Sequence, residues 1–266
     1  FFLLSVSLLH AQVSIYLDSL NPKAHARGLA ISDQIIYVGD NLGRCFKYFP
    51  SSNELHAIRQ VGPEIRDIAI TAKGVLWMQT GDTGKVFKDE TSEPILFPVI
   101  NGKSVFLDGI ASRDSLVFAM GDPVDNEFAL FLSRNYGRTW ETIRGVMANP
   151  EEAAYAASGS TVQLDSKHLY FVSGGETSRF WVRKIKGKRW KSFEIPFKKE
   201  AGEGPYSLCV IDRKHMVVVG GNYQFPNRRS SVCYISSNGG KSWKESAEPP
   251  FGYRSDVIYF QGVTYA

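Results

Sequence analysis

The residues best suited to chemistry recur at one kind of place, the start of an apolar strand. Arg27, Arg66 with Asp67, Asp108, Glu151 with Glu152, Tyr206, and Tyr253 with Arg254 each open or closely precede such a strand. Arginine forks grip carboxylates and phosphates through paired hydrogen bonds. Carboxylates serve as general acids or bases, and a tyrosine beside a glutamate can act as a nucleophile. Arg27, Arg66, Asp108, Glu152, Tyr206 and Arg254 are therefore the candidate ligand-binding residues. Their plainer use is in solvated turns, or in ion pairs between neighbouring repeats. No reaction follows from the types alone. The chain has no GxSxG elbow, no GxGxxG that opens a helix, and no Cys/His cluster at metal-ligand spacing. Gly202-Glu-Gly-Pro-Tyr-Ser207 is glycine-rich but runs into a strand, and Gly121–Glu127 lacks the calcium-loop spacing. Catalytic residues stay unassigned, and neither a metal nor a cofactor is expected.

The elements that must position these residues are strands. One pattern recurs: an apolar strand, a short polar turn, and a second apolar strand that ends at glycine. Arg27–Ser32 leads to Ile35–Asp40, Arg66–Thr71 to Val75–Asp82, and Asp108–Ser112 to Leu116–Asp122. Gly159–Leu164 then leads to His168–Gly174, and Tyr206–Ile211 to Met216–Gly221. The aligned glycines Gly39, Gly81, Gly121, Gly174 and Gly220 stand 42, 40, 53 and 46 residues apart. Periods of roughly 40–50 residues with several short strands per unit are the sequence mark of a β-propeller. Alternating β-branched and aromatic residues dominate, and the one segment of helical composition is Glu151–Ala157. The expected fold is an all-β propeller of four-stranded blades. About five blades are visible of an expected six or seven, with Ser255–Ala266 opening the next. Gln12–Leu20 is expected to pair with a late blade and close the ring.

Two turns carry a sharper pattern. Ser133-Arg-Asn-Tyr-Gly-Arg-Thr-Trp140 and Ser236-Ser-Asn-Gly-Gly-Lys-Ser-Trp243 share the frame Ser-x-Asn-x-Gly-x-Ser/Thr-Trp, with a weaker echo in Lys186-Gly-Lys-Arg-Trp190. An Asn side chain can bond its own backbone, a glycine can take positive φ, and the tryptophan can return inward as an apolar anchor. The frame resembles the Asp-box of bacterial neuraminidase repeats, with Asn in place of Asp. That resemblance implies a structural role for Ser133, Asn135, Gly137, Trp140, Ser236, Asn238, Gly240 and Trp243. Further segments are Gly121–Asp125, Glu152–Gly159, Gly220–Pro226 and Pro249–Ser255. In this order they resemble secreted bacterial propellers with neuraminidase-type repeats, which are related to photosystem II assembly-factor propellers. Members go under the labels oxidoreductase or glycosyl hydrolase. The segment Gly84–Pro94 departs from the pattern, having lost the Gly-Lys-Ser/Thr-Trp end of a box.

The totals bound the function class. The 266 residues are 43% hydrophobic, ample for a core, and 31 Lys+Arg against 27 Asp+Glu leave a net charge of +4. That balance is too weak to point to nucleic acid, and the basic run Arg183–Lys191 reads as a solvated strand edge. Cys45, Cys209 and Cys233 are too few for a disulfide framework and read as buried thiols. Phe1–Leu9 is apolar but too short to span a bilayer, and Leu9-His10-Ala11 resembles a signal-peptidase site. Residues 1–11 are thus expected to be a partial signal peptide, and 12–266 a propeller domain truncated at its C-terminus. The function expected is an exported scaffold that binds a peptide, glycan or assembly partner at the channel mouth. The alternative is a sialidase-like glycoside hydrolase.

Overall fold

The computed structural model describes residues 23–89, 93–155 and 157–266. The expected leader and the closing strand Gln12–Leu20 lie outside these, as does part of the degenerate box Gly84–Pro94. Blade 1 is β1 (Ala26–Ser32), β2 (Ile35–Asp40), β3 (Arg44–Phe49) and β4 (Glu54–Gln60). Blade 2 is β5 (Ile65–Thr71), β6 (Gly74–Gln79), β7 (Lys85–Lys88) and β8 (Ile95–Leu96). Blade 3 is β9 (Leu107–Arg113), β10 (Leu116–Val124), β11 (Glu127–Ser133) and β12 (Glu141–Ile143). In blade 4 the inner position is split between β13 (Glu152–Ala153) and β14 (Val162–Leu164), followed by β15 (His168–Gly175), β16 (Arg179–Lys184) and β17 (Lys191–Glu194). Blade 5 is β18 (Glu203–Val210), β19 (Met216–Asn222), β20 (Cys233–Ser236) and β21 (Lys244–Glu245). A hairpin of β22 (Ile258–Phe260) and β23 (Val263–Tyr265) follows. All pairings are antiparallel, and the inner strands β1, β5, β9, β14 and β18 neighbour one another in turn. The fold is the all-β propeller of four-stranded blades.

Period-two alternation explains why the blades stack. On β10, Phe118 and Met120 face blade 4, whereas Val117 and Ala119 face blade 2. On β19, Met216 and Val218 pack toward blade 4, and Val217 and Val219 pack against Val257 beyond blade 5. Both faces of a middle strand are therefore buried, and its sequence reads as a continuous apolar run. The core is a series of layers between blades, not one central mass.

The two Ser-x-Asn-x-Gly turns join the third and fourth strands of blades 3 and 5, and they are built alike. Ser133 Oγ accepts from Gly137 N at 2.9 Å, and Asn135 Oδ1 accepts from Thr139 N at 2.9 Å. Ser236 Oγ accepts from Gly240 N at 2.9 Å, and Asn238 Oδ1 from Ser242 N at 3.0 Å. Gly240 has φ +78°, and a Cβ there would stand 2.2 Å from Phe180 of the preceding blade. Trp140 packs on Phe97 with ring centroids 4.5 Å apart, Trp190 on Phe118 at 6.2 Å, and Trp243 on Phe180 at 5.6 Å. Each tryptophan thus closes the layer toward the blade before it. This holds even where the turn motif has degenerated.

The helical expectation for Glu151–Ala157 is corrected. Glu152 and Ala153 form β13 and pair with Gly175 and Gly174, and Glu151 sits at φ +56°. That left-handed residue ends any helix before it starts, and alanine's propensity yields to the ladder. The thiols of Cys45, Cys209 and Cys233 are free and buried, as their small number implied.

Candidate ligand site at the channel mouth

In four blades the inner strand slips register near its start, and the extra residue is Arg27, Arg66, Asp108 or Tyr206. A β-bulge adds one residue on one strand and re-aims its side chain. Four of the six candidates thus occupy equivalent positions at one end of the channel. Glu152 and Arg254 do not. Blade 4 splits its inner strand, which puts Glu152 on β13 off any such bulge, and Arg254 precedes the final hairpin outside a strand.

The bulged residues are engaged with neighbours across blade boundaries. Glu64 takes Arg27 Nε at 3.1 Å on one oxygen and Arg66 Nη2 at 2.8 Å on the other. The Arg66 guanidinium also lies 5.5 Å over the Phe106 ring. Asp108 is buried, and its Oδ2 has no hydrogen-bond partner among the described residues. Burial, and then the negative charge of Asp122, push its carboxyl well above the usual range despite Arg66 nearby. Burial raises Asp122 as well, although the Ala154 N–H donates to it at 3.3 Å.

On the other side the mouth is aromatic. Tyr206 stacks on Tyr155 with centroids 4.5 Å apart and meets the edge of Tyr253 at 4.9 Å. Its hydroxyl donates to the Gly202 carbonyl at 3.0 Å, and burial raises its pKa. Burial likewise pushes Tyr253 up to about 12, and the positive charge of Arg27 opposes that rise. Arginine, carboxyl and tyrosine positions therefore follow one another at the same end of successive inner strands. Tyr223, Phe225 and Phe251 stand exposed on the rim of the mouth beside blade 5.

Glu152 is held elsewhere. Arg179 clamps its carboxylate from Nε at 2.9 Å and again from Nη2, and Ser173 Oγ donates to it at 2.5 Å. Arg254 Nη1 donates to the Tyr253 carbonyl at 2.8 Å.

Below the mouth, polar groups bridge the inner strands. Asp67 accepts from Ile68 N at 2.7 Å and from Ile110 N of the next blade at 2.8 Å. Burial raises its carboxyl to about 7, against the pull of those two bonds. Ser160 Oγ lies 2.7 Å from Ser207 Oγ and donates to Asp256 at 2.7 Å. Single-sequence reasoning missed Glu64, Asp122, Tyr155, Ser160, Ser207 and Asp256 as members of this region. A visible signal existed for two of them: Glu64 directly precedes the Ile65-Arg66 strand start, and Asp122 follows an aligned glycine.

The four segments Gly121–Asp125, Glu152–Gly159, Gly220–Pro226 and Pro249–Ser255 meet here. Tyr253 N donates to the Pro226 carbonyl at 2.9 Å, and Arg254 N to the Gly220 carbonyl at 3.1 Å. Among the described residues no group of three or more His, Cys, Asp or Glu side chains could hold a metal ion, and no helix is long and apolar enough to cross a membrane.

The class defined by these sheets and this mouth is a β-propeller with an irregular, polar-aromatic opening. Residues 129–250 match the family model described as Sortilin, neurotensin receptor 3, a stretch from the third strand of blade 3 through the end of blade 5. No curated protein sequence matches. Among solved structures, the computationally designed Ika8 protein superposes at TM-score 0.57 with 12% identity, over 90% of this chain and 66% of that one. A chain of the mitotic checkpoint complex superposes at 0.55 with 12% identity, over 90% of this chain and 69% of that one. The chain therefore spans about two thirds of these solved chains. At such identities the likeness is one of fold.

Proposed function

We propose that this chain is an exported propeller scaffold that holds a protein or glycan ligand at its channel mouth, without chemistry of its own. The observation that carries this reading is the meeting of four loop segments around the Tyr155–Tyr206–Tyr253 group. An aromatic face beside arginine and carboxyl groups suits a ligand with both flat and polar parts. The partial match to a receptor family model supports a binding role, and the apolar run at residues 1–9 supports export. We read the two matched turns as Asp-boxes of the neuraminidase-repeat type, in a structural role remote from the mouth.

A sialidase-like hydrolase is the second reading, because arginine, tyrosine, glutamate and aspartate all occur at or near the mouth. Two observations weigh against it. Glu152 is saturated by Arg179 and Ser173, and the Tyr206 hydroxyl points its proton at a backbone carbonyl. A tyrosine nucleophile needs a free carboxylate beside it.

Glycan-array and peptide-display screening of the chain, followed by titration of the best hits, tests the proposal. Tyr206→Ala and the exposed-rim variant Tyr223→Ala should each weaken binding at least tenfold. Hits that bind both variants unchanged would overturn the mouth as the site. Release of neuraminic acid from a fluorogenic conjugate, abolished by Arg66→Ala, would replace the scaffold with the hydrolase.

A further inference from the structure

A second concavity lies at the opposite end of the strands from the mouth, between blades 4 and 5. It encloses about 1080 Å³. Its floor is apolar, formed by Val182, Phe193 and Met216. One bank carries Lys184, Lys188, Arg189 and Lys191, from the end of β16 to the start of β17. The other carries Arg213 and Lys214 from the turn between β18 and β19, and Lys241 from the turn between β20 and β21. All seven are exposed. Among the described residues none of them is held in an ion pair, and the lining includes no Asp or Glu.

The chain's whole net charge is +4. Seven unopposed cations in one groove exceed that total, so the remainder of the molecule is net negative. A concentration of one sign along low-dielectric walls focuses its field and draws in opposite charge. At the wall of the groove the Tyr170 hydroxyl donates to Asp165 at 2.6 Å; burial and that carboxylate raise its pKa, and the charge of Arg213 opposes them. Arg183 takes no part in the banks; its guanidinium is buried over the Trp190 ring, 5.4 Å from the centroid.

Two cationic banks with an apolar floor between them set the chemistry of the occupant. It must carry negative groups along both edges and apolar groups between them. An extended peptide that alternates acidic with apolar side chains meets this: its apolar face lies on the floor, and the carboxylates of its other face stay within reach of the long Lys and Arg side chains of both banks. A sulfated polysaccharide has anions to offer the banks but no apolar side chain for the floor. A single-stranded nucleic acid would need open aromatic faces for its bases, and Phe193 is half-buried. We infer that the groove between blades 4 and 5 is a docking site for an acidic, partly apolar peptide segment, separate from the channel mouth.

Fluorescence anisotropy with the full chain and a labelled decapeptide of alternating Asp and Leu tests this. Binding should strengthen as salt is lowered and should fall at least tenfold in the triple variant Lys188→Glu/Arg189→Glu/Arg213→Glu. The control Lys244→Glu, an exposed cation outside the groove, should bind like the parent. Equal affinity for an Asn/Leu decapeptide would overturn the proposal, as would an unchanged triple variant. Tighter, charge-reversal-sensitive binding of a heparin decasaccharide or a ten-nucleotide single strand would also overturn the peptide assignment in favour of that polyanion.

Discussion

Asp67 is a carboxyl that burial holds near neutrality while two backbone N–H groups pull the other way. Its folded pKa of about 7 lies above the unfolded value. Its contribution to stability is therefore complete below about pH 4 and is lost as pH rises through about 7, with a slope of up to ~1.4 kcal/mol per pH unit. Urea unfolding between pH 4 and 8 should show this component, and Asp67→Asn should flatten it. Glycine positions separate two costs. Gly145 has φ +81° with open space around it, so Gly145→Ala should cost about 1–2 kcal/mol of left-handed strain alone. Gly240→Ala adds a collision with Phe180 to similar strain and should cost clearly more in the same assay. The thiols answer a different probe. Burial raises Cys45 to about 12 and Cys233 to about 11, which disfavours the reactive thiolate. Colourimetric thiol titration at pH 8 should find Cys45, Cys209 and Cys233 silent until denaturant is added.

At the scale of elements, the turn between third and fourth strands acts as a clamp on the blade before it. Ser236 is fully buried and its hydroxyl accepts two backbone N–H bonds, from Asn238 at 3.4 Å and Gly240 at 2.9 Å. Losing that oxygen strands a buried donor, so Ser236→Ala should cost about 1–3 kcal/mol. Trp243 is 7% exposed, and its indole N–H donates to the Gly240 carbonyl at 3.0 Å. Trp243→Ala should cost about 3–5 kcal/mol by chemical denaturation, and more than Trp140→Ala, whose ring is only partly buried. The turn frame itself was legible in the sequence, because each residue in it serves the local backbone. Glu151–Ala157 was not legible. Its composition favours a helix, yet β15 offers it a ladder and the loop must cross toward Asp67, against which Gly159 packs with no room for a Cβ.

For the whole molecule, the mouth and the basic groove lie at opposite ends of the strands and share no residue. Their free energies should add. Mouth variants such as Tyr223→Ala should leave decapeptide binding within twofold, and groove variants should leave mouth ligands equally untouched. The same distance explains an uneven reading of charge. Arg183–Lys191 taken alone looked like one solvated strand edge, because Arg213, Lys214 and Lys241 stand 22 or more residues further on and reach the groove only when blade 5 packs on blade 4.

Composition and spacing alone determined the class of fold. Glycines that end every second strand, and apolar runs of constant length, leave stacked β-meanders as the way to bury both faces of each sheet. They also singled out Arg27, Arg66, Asp108, Glu152, Tyr206 and Arg254 as strand-start residues, of which Arg27, Arg66, Asp108 and Tyr206 share a place in the repeat. Tertiary structure alone decided what those side chains meet. Glu64 bridges two arginines from the loop before β5, Asp122 of the neighbouring strand β10 crowds Asp108, and Tyr155 and Tyr253 flank Tyr206 from outside its inner strand. A repeat fixes position within a unit through local geometry. Partners across a blade boundary are set by packing between residues tens of positions apart, which no single period encodes.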